Sequence, residues 1–498
     1  MYRLTLSRPL RSVAPLLVAA ALALLLTACD DDPVSAPGDD DPDPEDPDVS
    51  VTASVSIDPE MPEVGDEVTL DGSASSVEGA DNLTFEWNLI TPDGSDAEID
   101  DPTAETVTFE ADVAKDYTVE LEVSAERAGE TSIDTASETL EVIDLLGLAE
   151  AIHAETDAPG VVIGAATPDA RYIHGVGAVG PNRNETPTED TIFQIASISK
   201  VLTGIALADM VAEGTVALDQ PASELLPDSL SAFGADGEFV TLEHLATHTS
   251  GLPRLPDNLN PDDDSNLYAD YEEEDLMTFI ESVELEATPG DAFQYSNVGS
   301  GLLGHLLERS DGRAYGDLVS ERVAGPLDMD NLYRDPSDVP IDRLAMGVDS
   351  SGDPLPPWEF DVLAGAAAFL ASITDLLNLG EAAAAPSQTP IEEALNKAQD
   401  VRFVLEEDVA WGLGWSIFEV EGRTLLWHDG ATYSYGSGLL VDPERGYVAA
   451  VLVNGTPINN SWDPLSLAAP ILEELSSDED GAALTIDDQD LPSSEIVP

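Results

Sequence analysis

The chain is predicted to be multidomain, an all-β sandwich followed by an α/β domain with an α insertion, and three observations carry that reading. Apolar residues alternate with period two from about Val51 to Ile143. From about Leu145 to Ser476 the pattern becomes helix, strands, a long and mostly helical middle, strands and a final helix. With 498 residues the chain is also longer than one ordinary domain.

Composition limits the partners before any motif is read. The chain carries 18 basic and 100 acidic residues, a net charge of −82, and the acids are spread through every region. Such a surface repels phosphates, so nucleic acid is excluded as a partner, and it repels itself unless salt screens it. A high-salt habitat is expected.

At the N-terminus, Arg3, Arg8 and Arg11 precede the apolar run from Val13 to Leu26, which stops at Leu26-Thr27-Ala28-Cys29 before three aspartates. The run is short for a membrane span, which needs about 20 residues, and it contains Pro15. The stretch resembles a bacterial lipoprotein signal: residues 1–28 are the expected signal peptide and Cys29, the chain's single cysteine, the lipidated residue. The protein is then expected in the bacterial cell envelope, extracytoplasmic and held to the membrane through Cys29. Residues 29–50 hold ten acids, with prolines at 33, 37, 42, 44 and 47, and read as a stiffened acidic tether.

Residues 51–143 supply the sandwich. Strands are expected at Val51–Ile57, in the Val64–Ser73 stretch, at Leu83–Leu89, Thr106–Ala111, Tyr117–Ser124 and Ser137–Ile143. Val64-Gly65-Asp66 through Ser73, Trp87, and Asp116-Tyr117-Thr118-Val119 resemble a PKD-type, immunoglobulin-like module. After Trp87 the chain departs from that pattern, with Asn88-Leu89-Ile90. No catalytic constellation occurs in this stretch, so a spacer or a carbohydrate- or protein-contacting role is its default.

Residues 145–476 carry the chemistry, and residues 477–498 form an acidic tail expected to fray. A helix at 146–155 and strands at 161–166 and 172–179 open the domain, and strands at 411–419, 424–428, 437–441 and 447–453 close it. Between them, Phe193-Gln194-Ile195-Ala196-Ser197-Ile198-Ser199-Lys200 leads into an apolar run with helical spacing that ends near Gly214. Ser197 is therefore placed at a helix N-terminus, and Lys200, one turn on, returns to the same face: a nucleophile beside a base. Lysine is scarce, with only Lys115, Lys200 and Lys397 in the chain, and a buried lysine is costly unless it has a partner or a function.

Two further stretches join this pair. Ala287 to Asn297 turns at Pro289-Gly290 and ends in Tyr295-Ser296-Asn297 ahead of an apolar helix at 301–307. Trp427-His428-Asp429-Gly430-Ala431 follows an expected strand, and Gly430 allows a close approach to the backbone. His244 and His248, four apart, lack a third ligand nearby, and no metal or other cofactor is expected.

The order Ser-x-x-Lys, Tyr-x-Asn, His-x-Gly resembles the serine β-lactamase and DD-peptidase superfamily, its class C-like branch in particular. His248-Thr249-Ser250-Gly251-Leu252-Pro253 and Gly438-Leu439-Leu440-Val441-Asp442-Pro443 agree with it. The resemblance implies an antiparallel sheet flanked by helices plus an all-α subdomain. It implies acyl transfer in which Ser197 is acylated and Lys200 and Tyr295 handle the proton. Asn297 would orient a small-molecule or peptide substrate, His428 would orient Tyr295 or that substrate, and the N–H groups of Ser197 and Ala431 would hold the oxyanion beside Gly430. Free lysine and tyrosine both have pKa values near about 10, so the pair must be tuned, and which of the two is the base stays open.

The departure is His428, where β-lactamases and penicillin-binding proteins usually carry lysine. A mostly neutral imidazole attracts a carboxylate weakly. The expected activity is that of a serine hydrolase of esterase or D-amino-peptide type. The alternatives are a β-lactamase or DD-carboxypeptidase proper, and a catalytically slow cell-surface binding protein.

Overall fold

The structure, a computed structural model, describes residues 49–476 apart from 128, 231–232 and 457–461, together with 484 and 486. The expected signal segment, Cys29 and nearly all of the acidic tether lie outside the described residues.

Residues 50–140 form eight strands in small antiparallel sheets. Glu67–Asp71 is flanked by Ser56–Asp58 and Thr106–Glu110, Tyr117–Arg127 by Thr84–Ile90 and Glu130–Leu140, and Ser50–Thr52 pairs with Ser76–Glu78. The two three-stranded sheets share one core that includes Val68, Leu70, Trp87, Phe109, Tyr117 and Leu121. The last strand was expected at 137–143. It runs instead from Glu130 to Leu140 as the return leg of a hairpin whose register sets Tyr117 opposite Leu140. Its side chains are mostly exposed, so pairing with the neighbouring strand defines it where an apolar alternation is lacking.

The rest of the chain is built on one eight-stranded antiparallel sheet. Helix α1 (Leu145–Thr156) leads into β1 (Gly160–Ala166) and β2 (Arg171–Gly177). The other strands come more than 200 residues later: β3 (Phe403–Val404), β4 (Val409–Trp411), β5 (Ser416–Val420), β6 (Arg423–Ala431), β7 (Gly436–Asp442) and β8 (Tyr447–Val453). Their order across the sheet is β2-β1-β8-β7-β6-β5-β4-β3, so the first two strands join the last one along β1 and β8.

Alternation along these strands feeds two cores. Val161, Ile163, Trp427, Leu440, Val451 and Val453 face α1 and the C-terminal helix Pro464–Glu474. Val162, Leu426, Leu439, Val441, Ala450 and Leu452 face the helical insertion. That insertion contributes α2 (Ser199–Ala212), α3 (Asn297–Asp311) and α4 (Ile373–Ala384), the last of which caps its own start through Ser372 and Asp375.

Four local expectations are corrected. Ser197 sits in a short 3-10 turn, Ala196–Ile198, and α2 itself begins at Ser199. The single strand expected at 411–419 is broken by a turn at 412–415 in which Gly414 takes a φ of 80°; a Cβ there would lie 2.3 Å from the Lys200 carbonyl oxygen. The strand expected at 424–428 runs on, so Asp429 to Ala431 lie within β6, not after it. Of the tail, Leu484 and Ile486 are described, and both are buried against the C-terminal helix, so this part is held rather than frayed.

The small β-sheets meet the large sheet at β2. Tyr172 donates to the Met61 carbonyl at 2.7 Å, and His174 Nε2 lies 2.7 Å from Glu63 Oε1. Among the described residues no helix is long and apolar enough to cross a membrane.

Candidate active site

The site is assembled where the chain turns from an extended segment into α2. Phe193–Gln194 pairs with Leu370–Ala371, and the buried Gln194 amide is bonded at both ends to the Trp358 backbone. Ala196 then adopts a φ of 45°, a left-handed conformation that a residue with a Cβ rarely takes. The turn is pinned from below by β6 and β7: Ser437 Oγ donates to the Ile195 carbonyl at 2.8 Å. A Cβ on Gly430 would lie 2.6 Å from the Ile195 oxygen and 2.7 Å from the Ser197 nitrogen. The need for glycine at 430 thus arises from the protein's own backbone, in addition to the substrate approach expected from the sequence.

Lys200 comes one turn after Ser197. Its Nζ donates to Ser197 Oγ at 2.9 Å and to the Ala366 carbonyl at 2.8 Å, and it lies 4.9 Å from the centre of the Tyr295 ring. No carboxylate forms an ion pair with it among the described residues. Burial, reinforced by the nearby Arg254 charge, holds the amine well below the ordinary lysine pKa, with Asp429 acting in the opposite sense. Helix α2 can approach this closely because Gly204 packs against the Leu413 carbonyl.

Tyr295 is delivered by a strap of backbone bonds. Gln294 N–H donates to the His248 carbonyl at 2.7 Å, Ser296 N–H to His248 Nδ1 at 3.2 Å, and Asn297 N–H to the Arg254 carbonyl at 2.9 Å. Ser296 also caps α3 by accepting from Gly299 N–H, which makes Asn297 the first helical residue. The Tyr295 ring is flanked by His248 at 4.4 Å and by the Arg254 guanidinium at 5.3 Å. Burial raises the phenol's pKa, partly offset by the Ser197 side chain. Asn297 donates to Tyr268 Oη at 3.2 Å, and its Oδ1 is buried without a partner.

Alternation along β6 puts His428 and Gly430 on the side of Ser197. His428 Nδ1 is 2.6 Å from the Asp429 carbonyl, which can only accept, so the proton is on Nδ1 and the buried Nε2 presents a free lone pair. Burial and the neighbouring Lys200 depress the imidazole to about 3. It is neutral across the physiological range. Burial pushes Asp429, on the opposite face of the strand, well above the usual carboxylate range. Ala431 ends β6, opposite Gly436.

Ser197, Lys200, Tyr295, His428 and Gly430 therefore meet around one point, with Asn297 and Ala431 at its margins. Three residues given no role from sequence stand among them: His248, Arg254 and Trp411, whose indole lies 5.2 Å from His248 and 5.9 Å from His428. The first two come from the His248-Thr249-Ser250-Gly251-Leu252-Pro253 stretch and the arginine that follows it, so that stretch was the available signal. His244 lies on the short helix Leu242–Ala246, whereas His248 lies beyond it at a φ of 57°, so the pair shares no helix face.

This geometry agrees with comparison to known proteins. The family model described as Beta-lactamase matches residues 147–468, and the chain belongs to this family. It is 25% identical over 328 residues to penicillin-binding protein 4 of Amycolatopsis lactamdurans, covering 61% of this chain and 83% of that protein. It is 29% identical over 198 residues to the D-alanyl-D-alanine-carboxypeptidase/endopeptidase AmpH of Escherichia coli K12, and 30% identical over 213 residues to the esterase EstB of Burkholderia gladioli. Those two matches cover 39% and 40% of this chain, and 50% and 54% of the relatives.

Proposed function

We propose that the protein is a serine hydrolase that cleaves esters or amides through an acyl-enzyme. The observation that carries this is the 2.9 Å contact between Ser197 Oγ and a buried Lys200 whose environment favours the neutral amine. Lys200 Nζ takes the Ser197 proton as Oγ attacks the carbonyl, and the Ser197 and Ala431 N–H groups receive the oxyanion. Tyr295, held as a phenol, passes a proton to the leaving group and regains one from the Lys200 ammonium; water then attacks the acyl carbonyl, the bond between Ser197 Oγ and the acyl group breaks, and a proton from the water returns to Oγ. Asn297 and the Nε2 lone pair of His428 orient the substrate. The resemblance to both an esterase and a carboxypeptidase supports this class, and the neutral His428 favours the esterase or D-amino-peptide type within a class C-like branch.

By the same reading, residues 51–143 form a PKD-type spacer and Cys29 is lipidated, which places a salt-adapted enzyme on the outer side of a bacterial membrane. Cys29→Ser should then move the protein from the membrane fraction to the soluble one in detergent phase partitioning. The deciding experiment for catalysis is labelling with a fluorophosphonate. Wild-type protein should be labelled at Ser197 and hydrolyse p-nitrophenyl esters; a Ser197→Ala variant that keeps full turnover would refute the reading.

A further inference from the structure

Arg254 is out of character for this chain. With 100 acidic residues present, arginines elsewhere find carboxylates readily: Arg322 contacts Asp209, Glu213 and Asp311, and Arg343 contacts Asp190. Arg254 forms no ion pair among the described residues, and its Nε is buried without a hydrogen-bond partner. It is not remote from the chemistry. The guanidinium lies 5.3 Å from the Tyr295 ring, and its charge is felt at Lys200, His248, Tyr268, Tyr295 and Asp429. A partly exposed cation beside the Tyr295 ring, without an ion pair among the described residues of a strongly acidic protein, is a vacant half of a charge pair.

Its immediate neighbour is similarly incomplete. Asn297, whose N–H donates to the Arg254 carbonyl, has a buried and unpartnered Oδ1. His428, which also faces Ser197, is neutral and supplies no cation. From this arrangement we propose that Arg254 binds a carboxylate of the substrate on the Tyr295 and Asn297 side of the nucleophile, so that the enzyme prefers carboxylate-bearing esters or amides. The inference rests on Ser197 being the nucleophile. The net charge of −82 opposes approach of an anion at long range, but at molar salt that field decays within about 3 Å, while a contact in a partly dry site is screened far less.

The test compares matched substrates at fixed molar salt: a neutral p-nitrophenyl ester, an ester with a carboxylate at the end of its acyl chain, and an ester with a carboxylate on its leaving alcohol. In Arg254→Gln the kcat/KM ratio of at least one charged ester to the neutral one should fall roughly 10- to 100-fold, the range of a charge-assisted hydrogen bond. Arg254→Lys, which keeps the charge without the planar fork, should fall between. Equal losses on all three esters would overturn the proposal and leave Arg254 as a residue that tunes Lys200. A parallel measurement uses Ser197→Ala protein and the affinities of monomethyl and dimethyl glutarate. Tighter binding of the monoester that disappears on adding Arg254→Gln supports the carboxylate site, and equal affinities refute it. If wild-type protein hydrolyses none of the esters, the serine hydrolase reading fails, and the binding measurement still decides the role of Arg254.

Discussion

Gly430 and Ser197 are packed so closely that a single added methyl group at 430 would lie 2.7 Å from the Ser197 amide nitrogen. Strand β6 and the nucleophile turn are thus two walls of one narrow space. Gly430→Ala should lower kcat by about 10²- to 10³-fold, the scale of losing one oxyanion donor. Circular dichroism should show the variant folded, and turnover within threefold of wild type would disprove the geometric role of this glycine.

Lys200 should weaken the fold it serves. Its ammonium form is disfavoured by burial, so Lys200→Met should lose about 10²- to 10⁴-fold in turnover while raising the melting temperature. The sign follows from proton linkage: with a folded pKa below the unfolded value of about 10.4, the unfolded chain binds the extra proton between the two values, so wild-type stability from this group rises with pH there. The melting-temperature gap between variant and wild type should therefore shrink as pH approaches about 10.5, and a gap that widens would contradict the assignment.

The acid limb of the pH–rate profile distinguishes titration of Lys200 from titration of His428. His428 titrates near 3, too low to set a limb at higher pH, whereas the depressed Lys200 must lose its proton before it can act as base. His428→Asn should leave the position of the kcat/KM acid limb in place even if the rate drops. A limb that moves in that variant would assign it to the imidazole.

His248 supports Tyr295 through ring contact at 4.4 Å and through the bond from Ser296 N–H. Asparagine tolerates the left-handed backbone at 248 and can still accept that bond, so His248→Asn isolates the ring contact. Loss of positioning should cost roughly tenfold in kcat. An unchanged rate in steady-state kinetics would make the histidine a packing residue only.

The acidic surface predicts a response to salt. Dispersed carboxylates at net −82 repel one another most at low ionic strength, so the melting temperature should climb between 0.05 M and about 2 M salt. A flat curve from differential scanning calorimetry would remove salt adaptation from the description.

Ser197 and Lys200 were legible because one helical turn brings residues three apart together, a relation any helix enforces. Tyr295, Asn297 and His428 were found only through motifs, since nothing in local periodicity shows that segments about 100 and 230 residues downstream converge on Ser197. His248 and Arg254 were missed for a different reason. Their stretch acts through its carbonyls, which accept from Gln294 and Asn297, through the His248 ring, which accepts from Ser296, and through one left-handed residue, and no periodic pattern of side chains announces these bonds. The strand Glu130–Leu140 escaped notice because it is mostly exposed, and the break at 412–415 because it depends on how closely α2 approaches.

The pairing of β1 with β8 also sets a timetable for synthesis. When Gly160–Ala166 emerges from the ribosome its partner, Tyr447–Val453, is still roughly 280 residues away, which at ordinary elongation rates is about 15 to 60 s. Through that interval the hairpin of β1 and β2 presents an apolar strand edge, Val161-Val162-Ile163, with nothing to close it. Contacts this distant in sequence form slowly. Late closure of the sheet leaves this edge free to pair wrongly through most of synthesis, which makes the nascent chain a natural client of a holding chaperone.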